Sequence, residues 1–199
     1  MGATLGPDVR DEPDRAVSAP ALPLYLVRHC QATGQEPDAP LTPAGAAQAE
    51  RLADLLELHG ITRIVSSPYA RAIQSIVPLA ERLRIAVETD DRLIERMLSA
   101  TPMSDWRDHL RVSFADLDYR IGDGESSRSA MARAIAALDT ARRRAHGPVA
   151  IVTHGNLLAL LLRQIDGRCG FPEWERFTNP DVYRITASHV PQPIERLWT

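Results

Sequence analysis

Two histidines in this chain stand directly after short apolar runs, in Leu26-Val27-Arg28-His29 and in Ile151-Val152-Thr153-His154-Gly155. A neutral imidazole offers a nucleophile or a proton carrier, and the guanidinium of the adjoining Arg28 offers a planar fork of donors that stays charged at any working pH. In an open parallel sheet the carboxyl ends of the strands share one crevice, so His29 and His154 can converge although 125 positions separate them. A single histidine at such a place is ordinarily a hydrogen-bonded core residue. Two at strand ends beside polar loops point to a site. Arg71, in Ser66-Ser67-Pro68-Tyr69-Ala70-Arg71, is either a second anion-binding cation or half of a surface ion pair. Glu95, between Arg92 and Arg96, is either a proton donor or their salt-bridge partner.

The elements that must position these groups follow from the apolar pattern. Leu22 to Val27 reads as a buried strand, and Thr42 caps a helix with Pro43 at its first position that runs through Ala46–Leu58 to a stop near Gly60. Ile61–Ser66 is a second strand, Ser67-Pro68 open a helix to Leu83, and Ile85–Thr89 form a short strand. Between Leu93 and Ile121, Trp106, Leu110, Phe114 and Leu117 recur at roughly helical spacing, which predicts a helical cover over the sheet. Ser129–Ala145 is helical, Val149–Thr153 a buried strand, Leu157–Ile165 a buried helix and Val182–Ala187 a last strand. Strands alternating with helices predict an α/β fold, three layers α/β/α around a mostly parallel sheet. Residues 22–199 are expected to form one domain behind a disordered arm, 1–21, whose Pro7, Pro13 and Pro20 lie among acidic and small residues.

Composition removes several functions. All 23 basic residues are arginine, so a Schiff-base lysine and a lysine-dependent phosphate loop are both excluded. A net charge of -3 argues against nucleic acid as a partner. The apolar run Leu157–Leu162 falls far short of the roughly 20 residues of a membrane span, so no membrane partner is expected. Cys30 and Cys169 form no CxxC pair, which fits a reducing cytoplasm. His59, His109, His146 and His189 have no partners at ligand spacing, and no HExxH or Cys/His pattern occurs; no catalytic metal and no cofactor are expected. A homodimer is compatible with the sequence.

Four blocks in order resemble the histidine phosphatase superfamily, which includes the cofactor-dependent phosphoglycerate mutases: Leu26-Val27-Arg28-His29-Cys30-Gln31-Ala32, Leu41-Thr42-Pro43-Ala44-Gly45 with Gln48 and Ala49, Ser66 to Ala72, and Thr153-His154-Gly155-Asn156. Arg92 to Arg96, Gly124-Glu125-Ser126 and Asn179-Pro180-Asp181-Val182-Tyr183 extend the likeness from Leu24 onward. The resemblance implies a phosphoglycerate mutase-like fold and a phosphohistidine intermediate on His29, with Arg28, Arg71 and His154 around the phosphate. His154 would be protonated beside the dianion, Glu95 would be the proton donor, and Glu125 and Glu88 are its substitutes. Gln35, Ser66, Gly155 and Asn156 are candidate substrate-binding residues. Cys30 stands where the family most often has glycine, at a backbone amide expected to approach the phosphate, and it raises a redox alternative.

The substrate expected is a small phosphorylated metabolite, with selectivity set by the cover from Met97 to Gly124. The short stretch between His29 and Leu41 favours hydrolysis over mutase transfer. A phosphoprotein partner is the further alternative.

Overall fold

The computed structural model describes residues 22–186 and 194–198; the arm expected over 1–21, Ala187 at the end of the last expected strand, and His189 lie outside them. Six strands form one sheet in the order β3-β2-β4-β1-β5-β6: β1 Leu24–Arg28, β2 Arg63–Ser66, β3 Val87–Thr89, β4 Val149–Thr153, β5 Asp181–Ile185 and β6 Ile194–Arg196. The first four are mutually parallel, β5 runs antiparallel to β1, and β6 antiparallel to β5. Alternate residues of β1 feed two cores. Leu24 and Leu26 pack with α4 (Ser127–Arg143) and α5 (Gly155–Asp166); Tyr25 and Val27 pack with α1 (Pro43–Leu56) and α2 (Ala70–Leu83). This burial on both faces is what a helix-flanked parallel strand requires. β6, not expected from the sequence, is three residues long with exposed Glu195 and Arg196, too short and polar to carry a strand signal.

Element starts explain most of the remaining differences. The Thr42 hydroxyl accepts from the Gly45 amide, and Gly60 takes the left-handed conformation (φ 65°) that closes the turn after α1. Ser67 and Pro68 were expected inside α2, yet α2 starts at Ala70. A residue before proline is pushed out of the helical region, and the Ser67 amide instead continues the β2–β4 pairing by donating to the Val152 carbonyl. In the cover segment the helix α3 (Trp106–Ala115) buries Leu110 and Phe114, and Trp106 packs edge-on against Trp174 of α6 (Phe171–Glu175). No helix among the described residues is long and apolar enough to cross a membrane.

Candidate active site

His29 follows the carboxyl end of β1, where its amide donates to the Thr153 carbonyl and prolongs the ladder with β4. Its Nδ1 lies 2.7 Å from the Cys30 carbonyl and its Nε2 lies 3.2 Å from Nε of Arg71. A carbonyl only accepts and a guanidinium only donates, so both neighbours demand the same tautomer: hydrogen on Nδ1, lone pair on Nε2. Burial, with Arg71 and Arg28 adding to it against the Cys30 hydrogen bond, pushes the His29 pKa down to about 4. The ring is therefore neutral across the physiological range, with its lone pair on Nε2.

Arg71, from the first turn of α2, is 1% exposed. It also donates to the Gln35 and Glu36 carbonyls, at 3.0 and 2.8 Å, and its guanidinium lies 4.9 Å from the Tyr69 ring centre. Arg28 donates to the Phe177 and Thr178 carbonyls, both at 3.2 Å. Burial lowers the pKa of both arginines, and the charge of Glu95 opposes that in each. His154 is fully buried, with its ring centre 5.1 Å from that of His29 and its Nε2 2.8 Å from the Ser67 hydroxyl. Burial, then His29, Arg71, Arg133 and Arg28, hold its pKa well below the ordinary imidazole range. That direction runs against the proton expected on His154.

Glu95 takes neither role open to it as an ion-pair partner. Its Oε2 accepts from the Asn156 amide and its Oε1 from those of Leu157 and Arg96, so it caps the start of α5. Arg92 pairs with Asp90 instead, and Arg96 donates to the Glu125 carbonyl and the Ser113 hydroxyl. The substitutes for Glu95 are committed too: Glu125 forms a two-pronged pair with Arg133, and Glu88 one with Arg63.

The candidate binding residues divide. Gly155 opens α5 directly beneath Arg28, so close that a Cβ there would lie 3.1 Å from the guanidinium carbon. Asn156 is buried beside it. Gln35 contributes its carbonyl to Arg71, while its side chain is exposed. The Ser66 hydroxyl is spent on the Ser67 carbonyl, so this residue does not face His154; its neighbour Ser67 does. The Cys30 expectations are corrected as well. Its amide donates to the Ser75 hydroxyl at 2.8 Å instead of pointing at an anion, and its thiol is buried among α1 and α2, where burial pushes its pKa up to about 11. A thiol held there is little ionised, which argues against the redox alternative.

Sequence reasoning missed Ser67, Ser75 and Asn179, whose side chain donates to the His29 carbonyl at 2.8 Å. Ser67-Pro68 after a strand was a usable signal for the first. The other two act on backbone atoms, which leave no trace in residue type.

A family model, histidine phosphatase superfamily (branch 1), matches residues 24–195. The chain belongs to that family. A probable phosphoglycerate mutase GpmB of Proteus mirabilis (strain HI4320) is 32% identical over 189 residues, covering 85% of this chain and 87% of the relative. The counterpart from Shigella dysenteriae serotype 1 (strain Sd197) is 30% identical over 188 residues, covering 82% and 84%. Among solved structures, a mycobacterial glucosyl-3-phosphoglycerate phosphatase complexed with VO3 superposes with TM-score 0.71 at 24% identity, covering 90% of this chain and 99% of that one. Bacillus stearothermophilus YhfR gives TM-score 0.71 at 22% identity, covering 87% and 95%. These two likenesses show the shared fold. The family is one of enzymes of phosphoryl hydrolysis or transfer.

Proposed function

We propose that the chain hydrolyses a small phosphomonoester through a phosphohistidine on His29. The observation that carries this reading is three of the six buried polar atoms without a protein partner among the described residues: Arg28 Nε, His154 Nδ1 and Asn156 Nδ2, on the residue before His29, on the histidine whose ring centre lies 5.1 Å from that of His29, and on the first turn of the helix that follows it. Buried donors are normally satisfied, and a tetrahedral dianion brings enough acceptors for all three.

In the first step Nε2 of His29 attacks phosphorus, the N–P bond forms and the ester P–O bond breaks, with Arg71 turning its Nε from the histidine to a phosphoryl oxygen. Arg28, Arg71 and His154, the last protonated once the dianion is bound, hold the equatorial oxygens; a single such donor is worth on the order of 10²–10³ in rate. Glu95 gives its proton to the departing alkoxide. Glu95 enters the step protonated on Oε2, which accepts one amide where Oε1 accepts two and so keeps a lone pair for the proton. In the second step water attacks phosphorus, the N–P bond breaks, and Glu95 takes the water's proton.

Mixing with ³²P-labelled substrate is expected to give an acid-labile, base-stable phosphoprotein in the native chain, and neither label nor turnover in a folded His29→Ala variant. A fully active His29→Ala overturns the mechanism. The similarity to probable phosphoglycerate mutases favours one second reading, transfer between hydroxyls of a phosphoglycerate; product analysis separates it, since a mutase releases an isomer and a phosphatase releases inorganic phosphate.

A further inference from the structure

We propose that Arg196, on the C-terminal strand β6, is a positioning residue for the phosphate-binding pair Arg28 and His29, acting through Asp181 and the turn 177–180. The proposal rests on the reading above that Arg28 and His29 hold the phosphoryl group.

Asp181 is fully buried at the start of β5. Its carboxylate takes a two-pronged pair from Arg196, Nε to Oδ1 and Nη2 to Oδ2, both at 2.8 Å. It also accepts the Thr178 amide at 3.2 Å, the Val182 amide at 3.1 Å and the Tyr183 hydroxyl at 3.3 Å. Arg196 also reaches the Arg176 carbonyl at 3.4 Å. The turn is thereby fastened from the side away from the site.

On its other side the same turn makes three bonds to catalytic groups. The Phe177 and Thr178 carbonyls take Nη1 of Arg28, and the Asn179 side chain donates to the His29 carbonyl. Thr178 therefore bonds Asp181 through its amide and Arg28 through its carbonyl, so one peptide segment joins the two arginines. Arg28 and Asp181 are also direct partners in the β1–β5 register. Nothing in a guanidinium's own torsions fixes Arg28 in one pose; the carbonyl pair does, and that pair is only as well placed as the turn that bears it. Removing Arg196 takes the two-pronged partner from a buried carboxylate, which relaxes toward solvent and takes the Thr178 amide with it.

Arg196 is half-exposed, so Arg196→Met keeps the aliphatic stem and removes only the fork. The expected result is about a tenfold or larger loss of affinity for inorganic phosphate, measured by calorimetry, and a similar loss in kcat/KM. Arg196→Lys should recover part of each. Arg28→Met is expected to lose phosphate binding by itself, and adding Arg196→Met to it should cost nearly nothing more, because the guanidinium being positioned is gone. Should Arg196→Met fail to fold, Asp181→Asn/Arg196→Met removes the uncompensated charge, and the same comparison is made there. If Arg28→Met loses phosphate but Arg196→Met binds it like the native protein, or if the two losses add in full, the positioning role is overturned while the site stands. If Arg28→Met binds phosphate normally, the reading of the site itself fails, and this proposal with it.

Discussion

A Cβ on Gly155 would meet Arg28 at 3.1 Å from Cζ and Nε and 3.2 Å from Nη2, where ordinary contact begins at 3.4 Å. Gly155→Ala therefore makes the guanidinium give way by a few tenths of an ångström. A 1 Å misplacement of a catalytic group costs roughly 10²-fold, or about 2.7 kcal/mol; a third of that is about 1 kcal/mol, or roughly fivefold in kcat/KM. The fold gains in the same change. Alanine in place of glycine in the first turn of α5 contributes up to about 1 kcal/mol of helix propensity, against which the displaced arginine subtracts a part. The variant should thus unfold at the native temperature or slightly above it while turning over several-fold more slowly, with the loss also seen in phosphate affinity. Steady-state kinetics beside thermal unfolding makes the comparison. In an Arg28→Lys background the same substitution should cost little, since no guanidinium lies over the helix start. Unchanged kcat/KM in Gly155→Ala, or an equal loss in the lysine background, refutes the claim that Gly155 is there to seat Arg28.

Glu95→Gln should slow the phosphorylation step roughly 10²-fold on an alkyl phosphate and distinctly less on p-nitrophenyl phosphate, whose leaving group needs no proton; equal single-turnover losses would remove Glu95 from the acid role. The His29 pKa, depressed to about 4 against an ordinary 6.5, means the unfolded chain binds the proton first as pH falls. The associated stability is complete above pH 6.5 and is lost as pH drops through 4, by an amount on the order of 3 kcal/mol. Denaturant titrations of native protein and His29→Gln from pH 7 to pH 3.5 should diverge accordingly, and parallel curves would contradict the buried neutral imidazole.

The parts of this molecule legible in the sequence are those in which residue type and period carry the information. β1 and β4 read as buried strands because Leu24–Val27 and Val149–Val152 are apolar on both faces, and their parallel pairing brings His29 and His154 together as strand-end reasoning requires. The misread places share another cause: a partner distant in sequence. Ser66 and Ser67 are indistinguishable by type, and only the direction of the β2 end gives one to its neighbour's carbonyl and the other to His154. Glu95 could equally have been the ion-pair partner of its sequence neighbours Arg92 and Arg96, whereas it accepts from the amides of Asn156 and Leu157, which any residue would supply. The amide of Cys30 is turned to Ser75 by the docking of α2, an event no local pattern encodes.

Why the candidate site stands where it does follows from the order of the strands. α1 and α2, which lead from β1 to β2 and β3, pack on one face of the sheet with Tyr25 and Val27, while α4 and α5, which flank β4, pack on the other with Leu24 and Leu26. The chain thus changes face between neighbouring β1 and β4, and their carboxyl ends part around a crevice instead of being covered by a connection. One wall brings His29 and the α2 residue Arg71; the other brings His154 and the amino end of α5. The antiparallel β5 closes the third side, because a strand running against β1 must begin where β1 ends, and it delivers Asn179 and the Arg28-binding carbonyls to that point. Substitutions in the turn 177–180 should accordingly bear on the candidate site, although that turn belongs to no helix or strand.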